Sequence, residues 1–136
     1  MVALFISPAF AGPDQDFKAG RAAFDLQDHA TAVRLWRPLA ERGDARAQAS
    51  LGYMYRNGFG VAQDFTRAAG WYDVAAKQGQ AEAQYSLGML YLIGRGVKQS
   101  YVKAHILCEL AMLGGISGSL ECRETASRHM TAEQPS

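Results

Sequence analysis

Two small groups of residues in this chain have types and spacing that could do chemistry. Ser100-Tyr-Val-Lys103 has the Ser-x-x-Lys spacing, in which a lysine one turn on can activate a serine hydroxyl for acyl transfer. Ser100 also stands where a helix N-cap is expected, a place serine takes for backbone reasons alone. The Ser-Asp-Asn and Lys-Thr-Gly segments that complete such a site are absent from the sequence. The second group is Cys108, Cys122, His105 and His129. Thiolates and imidazoles bind zinc, but this spacing fits no familiar zinc module. His29, the remaining histidine, shares a register position with Phe65 and Tyr101, so its expected role is packing beneath a helix start. No catalytic residue, metal site or cofactor is expected.

These residues lie in a chain that repeats itself. Ala45-Arg-Ala-Gln-Ala-Ser-Leu51-Gly52-Tyr-Met-Tyr55-Arg-Asn-Gly58-Phe-Gly60-Val61 returns 36 positions on as Ala81-Glu-Ala-Gln-Tyr-Ser-Leu87-Gly88-Met-Leu-Tyr91-Leu-Ile-Gly94-Arg-Gly96-Val97. Ala32, Ala68 and Ala104 keep the same register, as do Gly43, Gly79 and Gly115. The first copy is shorter by the Gly-x-Gly-Val insert. A fixed period of this length marks stacked supersecondary units, which make binding surfaces more readily than catalytic pockets.

The pattern predicts seven helices and no sheet. The first spans about 14–26, and Asp28 or Thr31 caps the second. Asp44 opens the third, and Asp64 and Ser100 stand at further N-caps. Gly43 and Gly79 fall at helix C-termini, where a residue without Cβ turns left-handed most easily. Gly58-Phe-Gly60 and Gly94-Arg-Gly96 break the helical period and are the loops inside each copy. Gly52 and Gly88 lie mid-helix, where glycine costs about 1 kcal/mol against alanine. Close approach of a paired helix explains them, with Ala68 and Ala104 expected to face them. Leu51, Tyr55, Leu87 and Tyr91 fill the surrounding space, and Trp36, Trp71 and Tyr72 add bulk.

The 136 residues suit one domain, and a net charge of +1 argues against an electrostatic nucleic-acid footprint. No apolar run reaches the roughly 20 residues that span a bilayer. Val2-Ala-Leu-Phe-Ile-Ser-Pro-Ala-Phe-Ala11 lies outside the repeat and ends in a small-x-small pattern at Ala9 and Ala11. It reads as the end of a secretory signal peptide lacking its basic start, with the mature chain beginning near Gly12. An apolar arm packed on the first helix is the other reading of this segment.

The pattern Ala-x-Ala-Gln-x-x-Leu-Gly-x-x-Tyr-x-x-Gly-x-Gly-Val, followed by Ala-x-x-Trp-Tyr-x-x-Ala-Ala-x-Gln-Gly, resembles the Sel1-like repeat. Residues 45–80 and 81–116 are the two full copies. Residues 15–44 resemble a tetratricopeptide repeat with the short loop, and 117–131 the first helix of a further copy serving as a cap. The expected layout is a signal-peptide remnant over 1–11, one repeat domain over 12–131 and a tail over 132–136. The second full copy departs from the pattern, with Leu107-Cys108 in place of Trp71-Tyr72 and Leu113-Gly114 at its end. The resemblance implies an all-α fold, a right-handed α-solenoid of stacked antiparallel helix hairpins that binds a protein or peptide in its concave groove without catalysis. The resemblance takes in periplasmic regulators, and together with the signal-peptide reading it makes export to the bacterial periplasm the expected location. Two alternatives follow from relatives: a β-lactamase or penicillin-binding-like enzyme, and a structural component of a cell-envelope complex. No nucleic acid and no membrane insertion of the mature form are expected.

In tetratricopeptide-like stacks the first helices line the concave side. That places Arg46, Tyr53, Arg56, Tyr85 and Met89 as partner-binding residues. Ala49, Asn57, Glu82, Leu92, Ile93, Phe17, Arg21 and Phe24 sit nearby. Phe17, Leu92 and Ile93 are expected to pack against neighbouring repeats. Cys108 and Cys122 are each seven residues from the turn glycine Gly115, about two helical turns. In an antiparallel hairpin the two thiols then stand at similar height, so a Cys108–Cys122 disulfide is expected.

Overall fold

The computed structural model describes residues 12–133. The segment read as a signal-peptide remnant, 1–11, lies outside the described residues, as do 134–136. Seven helices follow one another: α1 (Pro13–Asp25), α2 (His29–Glu41), α3 (Ala45–Asn57), α4 (Phe65–Lys77), α5 (Ala81–Ile93), α6 (Tyr101–Leu113) and α7 (Ser119–Glu133). There is no strand among the described residues. Each helix packs on the next in the chain, and α3 also meets α5, and α5 meets α7, across the stack. The fold is an α-solenoid of helix hairpins.

The helix starts follow local hydrogen-bond chemistry. Orphan amides of a first turn need acceptors. Asp28 accepts from the Thr31 amide, which makes Asp28 the cap of α2 rather than Thr31. Asp44 accepts from the amides of Arg46 and Ala47, Asp64 from Arg67, and Ser100 from Lys103. The cap of α5 is Gln80, whose side chain accepts from the Ala83 amide at 2.7 Å. Glutamine is not among the favoured caps. It occupies the repeat position of Asp44, and its extra methylene brings the oxygen to the same kind of amide.

The hairpins close on three glycines at equivalent positions. A Cβ on Gly20 would collide with the Trp36 indole. One on Gly52 would lie 2.7 Å from the Tyr72 ring, and one on Gly88 2.6 Å from the Cys108 sulfur. The expectation that Ala68 and Ala104 face these glycines is therefore corrected. The Ala104 carbonyl comes only to 3.5 Å of that Cβ position at Gly88, and the filling groups are Trp36, Tyr72 and Cys108, which share one register position. The small alanines let the helix axes approach; the larger side chain one turn on occupies the space the glycine vacates.

Successive hairpins are joined by a second recurring contact. Gln48 donates to the Ala40 carbonyl at 3.1 Å and Gln84 to the Ala76 carbonyl at 3.3 Å, both glutamines being buried. The glycine loops fix the remaining geometry. Gly60 and Gly96 adopt left-handed φ, and a Cβ on either would run into the backbone at His29–Ala30 or Phe65–Thr66. His29 accordingly stacks on Phe59, with ring centroids 4.6 Å apart. The disulfide joins Cys108 of α6 to Cys122 of α7, with Cα atoms 6.0 Å apart.

Candidate functional site

The helices α1, α3 and α5 run side by side, and a cleft of about 470 Å³ opens where their exposed faces meet. Its walls are Phe17, Arg21 and Phe24 from α1, Trp36 from α2, and Arg46, Ala49, Ser50 and Tyr53 from α3. Gln80 and Glu82, at the start of α5, close the far side.

Aromatic packing holds the walls. Phe24 lies 6.2 Å from Trp36 and 6.0 Å from Tyr53, centroid to centroid, the latter edge-on. Phe17 stacks on Trp36 at 5.8 Å, and the Trp36 indole N–H donates to the Phe17 carbonyl at 3.2 Å. Edge-to-face and offset pairs of this kind add stability beyond area burial and fix ring orientation. Arg46 stands over the Phe17 ring, 4.7 Å from its centroid, and reaches Asp14 and Asp44 at 2.9 Å each. The hydrogen bond from Arg46 is the main cause that holds the Asp44 carboxyl below its usual range, against the opposing effect of burial. Gln80 donates to Glu82 at 2.9 Å while capping α5. The lining thus offers apolar contact, fixed aromatic edges and cationic donors.

Of the partner-binding residues placed in the groove from sequence, Arg46 and Tyr53 line this cleft, as do Phe17, Arg21, Phe24, Ala49 and Glu82 from the positions set beside them, and Tyr53 is 41% exposed. Arg56, Tyr85 and Met89 do not line it. Tyr85 is half-buried, with its hydroxyl beside Gly118 at the start of α7. Arg56 is exposed near the Tyr72 phenol. That phenol is buried without a completed hydrogen bond among the described residues, and burial pushes its pKa up. Phe17 packs partly against the core as expected and lines the cleft as well. Leu92 is half-buried, but Ile93 is 52% exposed, against the expectation that it packs. From sequence Trp36 was expected only to add bulk at the helix contact. It is buried, yet it lines the cleft.

The Ser-x-x-Lys pair has other employment. Ser100 Oγ accepts from the Lys103 amide at 3.2 Å, and the Lys103 ammonium lies over the Tyr91 ring, 5.2 Å from its centroid. A constellation not foreseen from sequence joins α6 and α7: Ser127 Oγ is 2.9 Å from His105 Nδ1, and His105 Nε2 is 3.8 Å from Glu109. The Ser127 hydroxyl is also 2.9 Å from the Arg123 carbonyl of its own helix, which competes with the histidine for its one proton. Only the His105–Glu109 spacing was visible in sequence; the pairing of α6 with α7 brings in Ser127. Among the described residues no group of three or more Cys, His, Asp or Glu could hold a metal ion.

Comparison with known proteins agrees with this architecture. The Sel1 repeat family matches at residues 24–44, 45–80 and 81–115. No curated protein matches the chain. A Sel1 repeat protein from Oxalobacter formigenes superposes with a TM-score of 0.74 at 34% identity, over 82% of this chain and 87% of that one. A protective antigen present in uropathogenic Escherichia coli strains, which displays an SLR fold, superposes with a TM-score of 0.75 at 32% identity. That match covers 79% of this chain but 24% of the antigen, so the chain spans about a quarter of its length. With three matches that take in most of its length, the chain belongs to the Sel1 repeat family.

Proposed function

We propose that this protein is a non-catalytic interaction module that binds an extended segment of a partner protein in the cleft between α1, α3 and α5. Sel1 repeat proteins generally mediate protein–protein interaction. One observation carries the reading for this chain: a cleft of about 470 Å³ in which Phe17, Phe24, Trp36 and Tyr53 present aromatic edges beside Arg21 and Arg46. Aromatics and arginine are the types enriched where partners bind. An apolar anchor side chain fits between the rings, and the guanidinium groups meet backbone carbonyls or a carboxylate beside it. Arg56, Tyr85 and Met89 extend the same surface towards the C-terminus in this reading.

The site is proposed to work outside the cytoplasm, in the periplasm. The disulfide between α6 and α7 supports this, because such bridges persist in oxidising compartments. A bacterial antigen among the similar structures is consistent with it.

A photocrosslinking amino acid at position 53, with one at Arg95 on the loop side as control, tests the proposal in cells. A defined adduct from position 53 and none from position 95 is expected. Tyr53→Ala should then weaken binding of the captured partner by about tenfold or more, which is 1.4 kcal/mol. Adducts from position 95 alone would move the interface to the loop edge and end the proposal. Hydrolysis of a chromogenic β-lactam by the purified chain would overturn the non-catalytic reading.

A further inference from the structure

The outer face of α6 differs from the same face of the earlier hairpins. The repeat supplies its own control, because residues 36 apart take equivalent places. On α2 the outward positions are Ala30, Arg34, Pro38 and Glu41, and on α4 they are Thr66, Gly70, Val74 and Lys77. On α6 they are Val102, Ile106, Leu110 and Leu113, which are 36%, 51%, 44% and 78% exposed. A mixed face, polar at Arg34, Glu41, Thr66 and Lys77 and with Val74 as its one exposed large apolar side chain, has become a continuous apolar stripe, and contiguous exposed apolar surface of this kind marks an interaction site. Beside the stripe lies a groove of about 520 Å³ between α4 and α6, with Leu87 and Tyr91 of α5 in its floor. Asp73 and Lys77 stand on its α4 wall and Lys103 on its α6 wall.

From this arrangement we infer that α6 is a self-association surface, on which a second copy of this chain docks by its own α6. The residue order is what an isologous two-fold contact requires. Val102, Ile106 and Leu110 are spaced four residues to either side of Ile106. With a two-fold axis perpendicular to α6 and passing beside it at the level of Ile106, between the two copies, the two helices run antiparallel. Ile106 then meets Ile106 of the partner subunit, and each Val102 meets Leu110 of the partner subunit. The charges match under the same operation. Asp73 on α4 is the repeat equivalent of residue 109, so it stands about 9 Å further along the helix axis direction than Lys103, at 1.5 Å per residue. The two-fold carries Lys103 to the level of residue 109, on the groove side, which is the level of Asp73 of the partner subunit. Lys103 makes no carboxylate contact among the described residues; its ammonium rests on Tyr91. Asp73 is half-exposed and bonded to Lys77 at 2.8 Å, which leaves an oxygen for a second cation. A partner of another kind would need its own apolar stripe and its own cation at the right height. A second copy has both by construction.

Sedimentation equilibrium of the full chain tests this, with thermal melts to show that each variant stays folded. A reversible dimer is expected. Ile106→Glu should weaken it about tenfold or more, and Leu110→Gln, a milder change at an exposed site, should weaken it in the same direction. Lys103→Asp and Asp73→Lys should each weaken the dimer, and the two together should restore it. A chain that is monomeric up to its solubility limit overturns the inference. So does a dimer indifferent to Ile106→Glu, or a double charge swap as weak as the single changes. A monomeric chain that loses capture of some other protein on Ile106→Glu would give the face to that protein and also overturn the inference.

Discussion

A single methyl group separates two kinds of glycine in this chain. At Gly88 an added Cβ would lie 2.6 Å from the Cys108 sulfur, whereas at Gly70, on the outer face of α4, it would meet nothing within 4 Å. Alanine is the better helix former by about 1 kcal/mol at both positions. Gly70→Ala should therefore stabilise the protein by roughly 0.4–1 kcal/mol. Gly88→Ala should destabilise it, because overpacking costs about 1–3 kcal/mol and outweighs the gain in propensity. Urea denaturation of the two variants checks the opposite signs. The cap of α3 makes a second residue-scale prediction. Asp44 has a carboxyl held below its usual range by Arg46 and by two backbone amides. A lowered folded-state pKa gives stability that is complete above the unfolded value, near 3.9, and is lost as pH falls through the folded one. Asp44→Ala should cost about 1 kcal/mol at neutral pH, and less below the carboxylate range. Denaturation midpoints at neutral and acid pH show whether the gap narrows.

Each element of the stack is anchored by a plug in the glycine slot of its hairpin. The first two plugs are aromatic, Trp36 and Tyr72, and the third is one end of the disulfide. Cysteine is small, and the bridge to Cys122 supplies from α7 the volume that an aromatic ring supplies elsewhere. Both cysteines are buried. Closing this 15-residue loop should stabilise α7 on α6 by about 3 kcal/mol in the chain-entropy account. Replacing both cysteines by alanine should therefore loosen α7 first. Hydrogen exchange should show lost protection in α7 and the end of α6, with α3 and α4 largely unchanged. Uniform loss across all seven helices would mean that the stack unfolds as one unit rather than from its end.

On the scale of the whole molecule the two proposed surfaces lie on different layers. The cleft is built mainly from the first helices α1, α3 and α5, and the apolar stripe lies on the second helix α6. Well-separated sites with no shared partners act additively. Tyr53→Ala should leave the sedimentation behaviour unchanged, and Ile106→Glu should leave crosslinking from position 53 unchanged. Binding titrations on the single and double variants measure any coupling. If both surfaces work as proposed, the dimer presents two clefts, and a partner with two binding segments gains avidity without any new contact.

The sequence alone determined what depends on a few neighbouring residues. The 36-residue period, the loop glycines and the caps at Asp28, Asp44, Asp64 and Ser100 were legible because a turn or a first-turn amide is satisfied within a handful of positions. The cysteine pairing was legible for a similar reason, since equal spacing about Gly115 fixes the height of both thiols in a hairpin. The tertiary structure decided what depends on how helices lean. Which side chain fills a glycine slot turns on interhelical distance and rotation. Hence Tyr72 and Cys108, not Ala68 and Ala104, fill the slots of Gly52 and Gly88. Cleft membership turns on the angle between hairpins, which the sum of many packed volumes sets. That angle brings Trp36 into the cleft wall beside the expected Phe24 and Tyr53, and leaves Tyr85 against Gly118, outside the cleft.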